Sequence, residues 1–200
     1  LRSPLARLQA ATALAAGRPG ASPAEAGRVE REIRRMDRVI GDLLRYARLG
    51  ATGTVARRLV RLDALVAELC RDEELEARNR PCELAVRTGQ ELLVVGDPDL
   101  LRSAFENLLR NAIRYAPAGS RVEVGAEHAG DDIRLTVADR GPGVPGEYLE
   151  RIFEPYVRAP GPAGPADGTG LGLAIARRVF VAHGGSVRAS LREGGGLLME

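Results

Sequence analysis

Two hundred residues with 44% hydrophobic content are enough to bury a core for one ordinary domain, or for a domain with a smaller helical piece. The 29 basic residues, all arginine, nearly balance 27 acidic ones, and a net charge of +2 removes any electrostatic reason to expect a nucleic-acid partner. The two cysteines, Cys70 and Cys82, lack metal-ligand spacing, and no stretch approaches the roughly 20 apolar residues of a membrane span, so thiols in a reducing, cytoplasmic setting are expected. Membrane attachment would come only through segments outside this chain, with a parent anchored in the inner membrane left open.

Taken in order, Leu1, Leu5, Leu8, Thr12 and Ala15 trace an apolar stripe that stops at the turn Gly17 to Gly20. After Ser22 and Pro23, the residues Val29, Ile33, Met36, Ile40, Leu43 and Ala47 recur at steps of four and three, the seam of a bundled helix. Residues 1–49 therefore read as a helical hairpin. Two helices alone make a thin core, so the hairpin is expected to be half of a dimeric four-helix bundle. Leu49 to Gly53 lacks periodicity, and residues 50–56 read as a linker to a second domain at 57–200.

In that domain, Arg58 to Arg80 reads as a short strand followed by an amphipathic helix opened by Asp63. The alternation predicts strands at Cys82 to Arg87, Glu91 to Asp97, Arg121 to His128, Asp132 to Asp139, Gly185 to Leu191 and Gly195 to Glu200. Helices are expected at Asp97 to Tyr115, around Pro145 to Ile152, and at Gly172 to His183. The fold class is α+β: a helical hairpin followed by an α/β sandwich with helices on one face of a mixed sheet.

Three segments carry chemistry. On the first long helix, Asn107, Asn111 and Arg114 fall at i, i+4 and i+7, opposite Leu101, Phe105, Leu108, Ala112 and Ile113. Two amide oxygens one turn apart suit a Mg²⁺-phosphate site, and Arg114 could neutralise phosphate charge; the plainer reading is local bonding on a solvated helix. Asp139 ends an apolar strand and could accept the exocyclic amine of adenine, with Gly141 and Gly143 letting backbone approach the ring. A strand-ending turn would use the same letters.

The third segment, from Asp167 into GTGLGLAIARRV, offers the amides of Gly168 to Gly172 at the start of a helix whose dipole favours anions. It is neither the P-loop nor the dinucleotide fingerprint, and a structural glycine-rich loop is its plain alternative. The preceding RAPGPAGPADG is rich in Gly and Pro and could close over a bound nucleotide, or be an ordinary surface loop. Together, in this order, the three segments point to an ATP pocket.

The same order resembles the ATP-binding domain of sensor histidine kinases. ENLLRNAIRYAP is similar to that family's N box, DRGPGVP to its first glycine box, RIFEPYVR to its F box, and DGTGLGLAIARRVFVAHGGSV to its second glycine box. LRSPLARL resembles the stretch that follows the phosphorylated histidine, and residues 27–49 the second helix of the dimerisation hairpin. The resemblance implies Asn111 as main Mg²⁺ ligand with Asn107 beside it, and Glu106 orienting the metal's water shell. It implies Arg114 and Tyr115 contacting phosphate and nucleoside, Asp139 binding the adenine amine, and Gly141 and Gly143 lining the base. It further implies Gly168, Thr169, Gly170, Leu171 and Gly172 wrapping the phosphates, and Phe153 and Arg158 shaping the lid and aiding transfer.

Arg114 stands where the family often has Lys, and Arg140 where it often has Asn. The resemblance also implies ATP and Mg²⁺ as cofactors, a homodimer through the hairpin, and a response regulator receiver domain as partner. It places the phosphoacceptor histidine two positions before Leu1, so this chain is expected to bind Mg-ATP without autophosphorylating. His128 and His183 read as structural or exposed, and Ser3 occupies a place where the family's phosphatase motif has Thr or Asn. A superfamily ATPase driving dimer closure and a non-catalytic nucleotide-binding scaffold are the rival readings.

Overall fold

The computed structural model describes residues 57–76, 82–160 and 169–200, with residues 36, 40, 41, 43 and 44. The chain divides into two compact units, Leu1–Arg48 and Leu49–Glu200. In the first unit the five described residues are all helical; the rest of the expected hairpin and the linker at 50–56 lie outside the described residues.

The second unit begins with β1 (Arg58–Arg61) and α1 (Leu62–Glu76), followed by β2 (Glu83–Thr88) and β3 (Leu93–Gly96). Then come α2 (Pro98–Tyr115), β4 (Arg121–Ala129), β5 (Asp132–Ala138) and the single turn α3 (Tyr148–Arg151). It ends with α4 (Gly172–Ala182), β6 (Ala189–Leu191) and β7 (Leu197–Met199). Five strands form one sheet in the order β2-β4-β5-β7-β6, in which β2 runs parallel to β4 and every other pairing is antiparallel. The sheet is mixed, as expected. β1 and β3 instead form a separate antiparallel pair, with Leu59 opposite Val95.

On β4 the alternation is plain: Val122, Val124 and Ala126 are buried between more exposed neighbours. The helices add buried residues of their own, Val66 and Leu69 on α1, Phe105 and Leu109 on α2, and Ile175 and Val179 on α4. α2 packs on both α1 and α4, and the rings of Phe105 and Phe180 meet edge to face at 6.4 Å. Cys70 is buried and Cys82 half-buried, with no disulfide between them.

Local chemistry sets where the helices stop and start. Asp97 caps α2, its Oδ1 accepting from the N–H groups of Asp99 at 3.0 Å and Leu100 at 3.1 Å, and Pro98 fits the first helical turn. α4 ends at Gly184, whose φ of +81° permits a reversal in which the Gly184 and Gly185 N–H groups donate to Val181 and Phe180. His183 is structural here. Its Nδ1 lies 2.7 Å from the Val179 carbonyl, and its Nε2 accepts from the Asp97 N–H at 3.0 Å, tying the end of α4 to the start of α2. His128 is exposed on β4, with Nε2 3.3 Å from the Glu91 carbonyl.

Candidate functional site

Asp139 is the residue the fold treats most unusually. β5 carries it past the last ladder pair into the interior, where it is only 2% exposed. Its Oδ1 accepts from the N–H of Gly141 at 2.7 Å and of Leu197 at 3.3 Å. Burial pushes its pKa above the ordinary 3.8, while those two N–H groups and the Arg192 guanidinium act against the rise. A carboxylate is thus kept in a costly place, oriented by fixed donors.

Gly141 explains how the C-terminus of α2 reaches this acid. A Cβ there would lie 2.6 Å from the Tyr115 carbonyl and 2.9 Å from Asp139 Oδ1, so only glycine lets the three segments meet. Gly143 has φ of +68° and turns the loop toward Leu191.

Asn107 and Asn111 are half-buried on α2, one turn apart. At Gly172, the first residue of α4, a Cβ would stand 3.0 Å from Asn107 Oδ1, so the structure brings the amide of the first motif against the glycines of the third. One hard amide oxygen at a helix start, with a second amide one turn along α2, fits a Mg²⁺ ion that bridges phosphates and keeps several waters. Arg114 has its guanidinium carbon 5.6 Å from the centre of the Tyr115 ring, a cation–π contact at the C-terminal turn of α2. Glu106 is tied to Arg110 at 2.8 Å, and Arg110 in turn to the buried Glu73 of α1 at 2.9 Å.

The start of α4 differs from that of α2. Among the described residues no side chain caps it: Leu171 occupies the cap position without a side-chain hydrogen bond, and Thr169 Oγ1 accepts from Leu171 N–H at 3.2 Å one step before the helix. An anion would satisfy the first amides of such a helix start. Gly170, at φ +69°, accepts from Tyr156 N–H at 2.9 Å, and a Cβ on it would meet the Tyr156 backbone at 2.9 Å. Tyr156 itself has φ of +65°, so two left-handed residues lock the F-box turn to this helix start. Phe153 is buried and Arg158 exposed, while Gly168 lies outside the described residues.

Sequence reasoning predicted the two strands of the β6–β7 hairpin but not that its turn packs against Asp139. Gly194, Gly195 and Gly196 have φ of +81°, +99° and +101°, and a Cβ on Gly196 would collide with the Asp139 carbonyl. Three adjacent glycines were a visible signal of close backbone approach. No local signal marked Arg192 or Glu123, which meet only in the folded chain.

Residues 96–199 match the family described as histidine kinase-, DNA gyrase B-, and HSP90-like ATPase. The sensor protein PfeS of Pseudomonas aeruginosa is 40% identical over 193 residues, covering 95% of this chain and 42% of that protein. The sensor histidine kinase CpxA of Escherichia coli K12 is 38% identical over 199 residues, covering 98% and 43%. Among solved structures, full-length ShkA in complex with AMPPNP superposes with a TM-score of 0.82 at 27% identity, covering 99% of this chain and 42% of that one. The chain thus spans about two fifths of the length of the curated relatives it matches.

Proposed function

Because this chain belongs to the histidine kinase-, DNA gyrase B-, and HSP90-like ATPase family, on its sensor histidine kinase side, we propose that it binds Mg-ATP and donates the γ-phosphoryl group to a histidine. In the parent protein the phosphoryl group would pass on to an aspartate of a response regulator receiver domain. The observation that supports the reading is a pair of close approaches to α2: Gly141 lets Asp139 meet its Tyr115 end, and Gly172 sets the start of α4 against the Asn107 amide. Residues 1–49, which contain no histidine, would supply part of the dimerisation and phosphoacceptor hairpin of a homodimer, and residues 57–200 the catalytic domain.

Asp139 accepts the adenine exocyclic amine, and Gly141 and Gly143 leave room for the base. The amides of Gly168 to Gly172 and the α4 dipole hold the phosphates, with Arg114 and Tyr115 at the α2 end. Asn111 and Asn107 would hold Mg²⁺, which supplies neutralising charge on the phosphates. Phosphoryl transfer asks the protein chiefly for positioning and charge stabilisation, which these groups provide. Glu106 orients the polar groups around the metal, and Phe153 and Arg158 shape the closing segment.

Calorimetry of this chain with ATP, in Mg²⁺ and in EDTA, tests the proposal. Binding that strengthens with Mg²⁺ and loses that dependence in Asn111→Ala supports it; no ATP affinity, or equal affinity in EDTA, contradicts it. Steady-state ATP hydrolysis by this chain would favour an ATPase that uses turnover for dimer closure.

A further inference from the structure

Arg192 belongs to none of the motifs above, yet it meets Asp139 from behind. It is 16% exposed, with Nη1 donating to the main-chain carbonyl of Asp139 at 3.0 Å and Nη2 donating to Glu123 Oε1 on β4 at 2.8 Å. Glu123 is held below the ordinary carboxylate range chiefly by its hydrogen bond to Arg192. The guanidinium is therefore gripped at two of its nitrogens and has little freedom to turn. On the same carbonyl, Gly196 packs so closely that no side chain would fit, and the next residue, Leu197, donates its N–H to Asp139 Oδ1.

We propose that Arg192, seated by Glu123, is a positioning residue for base recognition: it fixes the Asp139 backbone and supplies the positive charge beside its buried carboxylate. Arg192 thereby sets how strongly the protein prefers an adenine base to a guanine base. This rests on Asp139 as the contact to the exocyclic amine. The amine donates a hydrogen, so Asp139 must be an acceptor, and a nearby cation favours the ionised acceptor form. Among the described residues, these are the groups that bear on Asp139 and its neighbours. Arg140, on the adjoining loop, is turned to the Glu193 carbonyl at 3.1 Å; Tyr115, at the end of α2, presents its carbonyl toward Gly141; Glu123 faces Arg192, with Arg140 and Arg87 also acting on it. Arg192 is the cation that acts on Asp139 itself.

The test is calorimetry of this 200-residue chain with Mg-ATP, Mg-GTP and inorganic triphosphate between about pH 5 and pH 8. Arg192→Met is expected to weaken ATP about tenfold with triphosphate affinity unchanged, and to move the acid limb of ATP binding to higher pH. Arg192→Lys, which keeps the charge, should hold the limb near that of the parent. Glu123→Gln keeps Arg192 charged but loosens its seat, and should lower the ATP to GTP preference without moving the limb. Arg192→Met with the parent's affinity and acid limb overturns the inference, as does an equal loss of ATP and triphosphate, or an unchanged preference in Glu123→Gln. A parent chain that binds nucleotides without preferring ATP overturns the Asp139 assignment and this inference with it, which separates the two failures.

Discussion

The two ends of the domain treat aspartate in opposite ways. Asp63, at the start of α1, is held down to about 2, chiefly by its hydrogen bond to Arg61, with the Leu92 N–H adding to the effect. Asp139, at the end of β5, is pushed up by burial, and its helpers offset that only in part. The helix starts divide in the same way: α2 is capped by its own Asp97, whereas among the described residues α4 has no side-chain cap. One end satisfies its charges internally and gains stability. The other keeps an acid and a helix start in conditions that a bound nucleotide would improve, which is what a recognition site requires.

The sharpest way to break this contrast is Gly141→Ala. With the new Cβ 2.6 Å from the Tyr115 carbonyl, the loop must shift, so a loss of roughly 1–3 kcal/mol in urea denaturation and of ATP binding is expected. At the other end, Asp97→Ala removes the α2 cap and should cost about 1 kcal/mol, measured the same way, with ATP affinity at saturating Mg²⁺ little changed.

Asp63→Asn sharpens the contrast through pH. The folded acid has a depressed pKa, so its contribution is present above the ordinary 3.8 and lost as pH falls through about 2. The variant should therefore melt below the parent at neutral pH, and the gap should close across that acid window. The smallest effect is expected at the exposed Arg121–Glu83 pair on the sheet edge, where Glu83→Gln should change stability by less than about 0.5 kcal/mol.

Much of this was legible in the sequence because it is local. The 3.6-residue stripe of Leu101, Phe105, Leu108 and Ala112, the Asp97-Pro98 helix start, and the alternation of Val122 and Val124 each depend on near neighbours. Pairing is not local. Leu59 and Val95 each look like strand residues, but nothing in either segment says that they face each other outside the main sheet. Likewise Arg192 lies 69 residues from Glu123 and Arg110 lies 37 from Glu73, so neither link leaves a periodic trace. His183 could be read as structural, but its role as a staple to Asp97 needed the fold.

The account stands most directly on Asp139→Asn, measured by thermal melting against pH with and without Mg-ATP. Asn keeps an oxygen for the Gly141 and Leu197 N–H groups but removes the buried charge. The raised acid contributes stability below its unfolded-state value and loses it as pH rises through its folded-state value. The ligand-free variant is therefore predicted to match the parent at acid pH and to exceed it at neutral pH, while the stabilisation by Mg-ATP largely disappears. A variant that is less stable than the parent at neutral pH, or that Mg-ATP still stabilises as much, would contradict the claim that this acid is kept for the nucleotide.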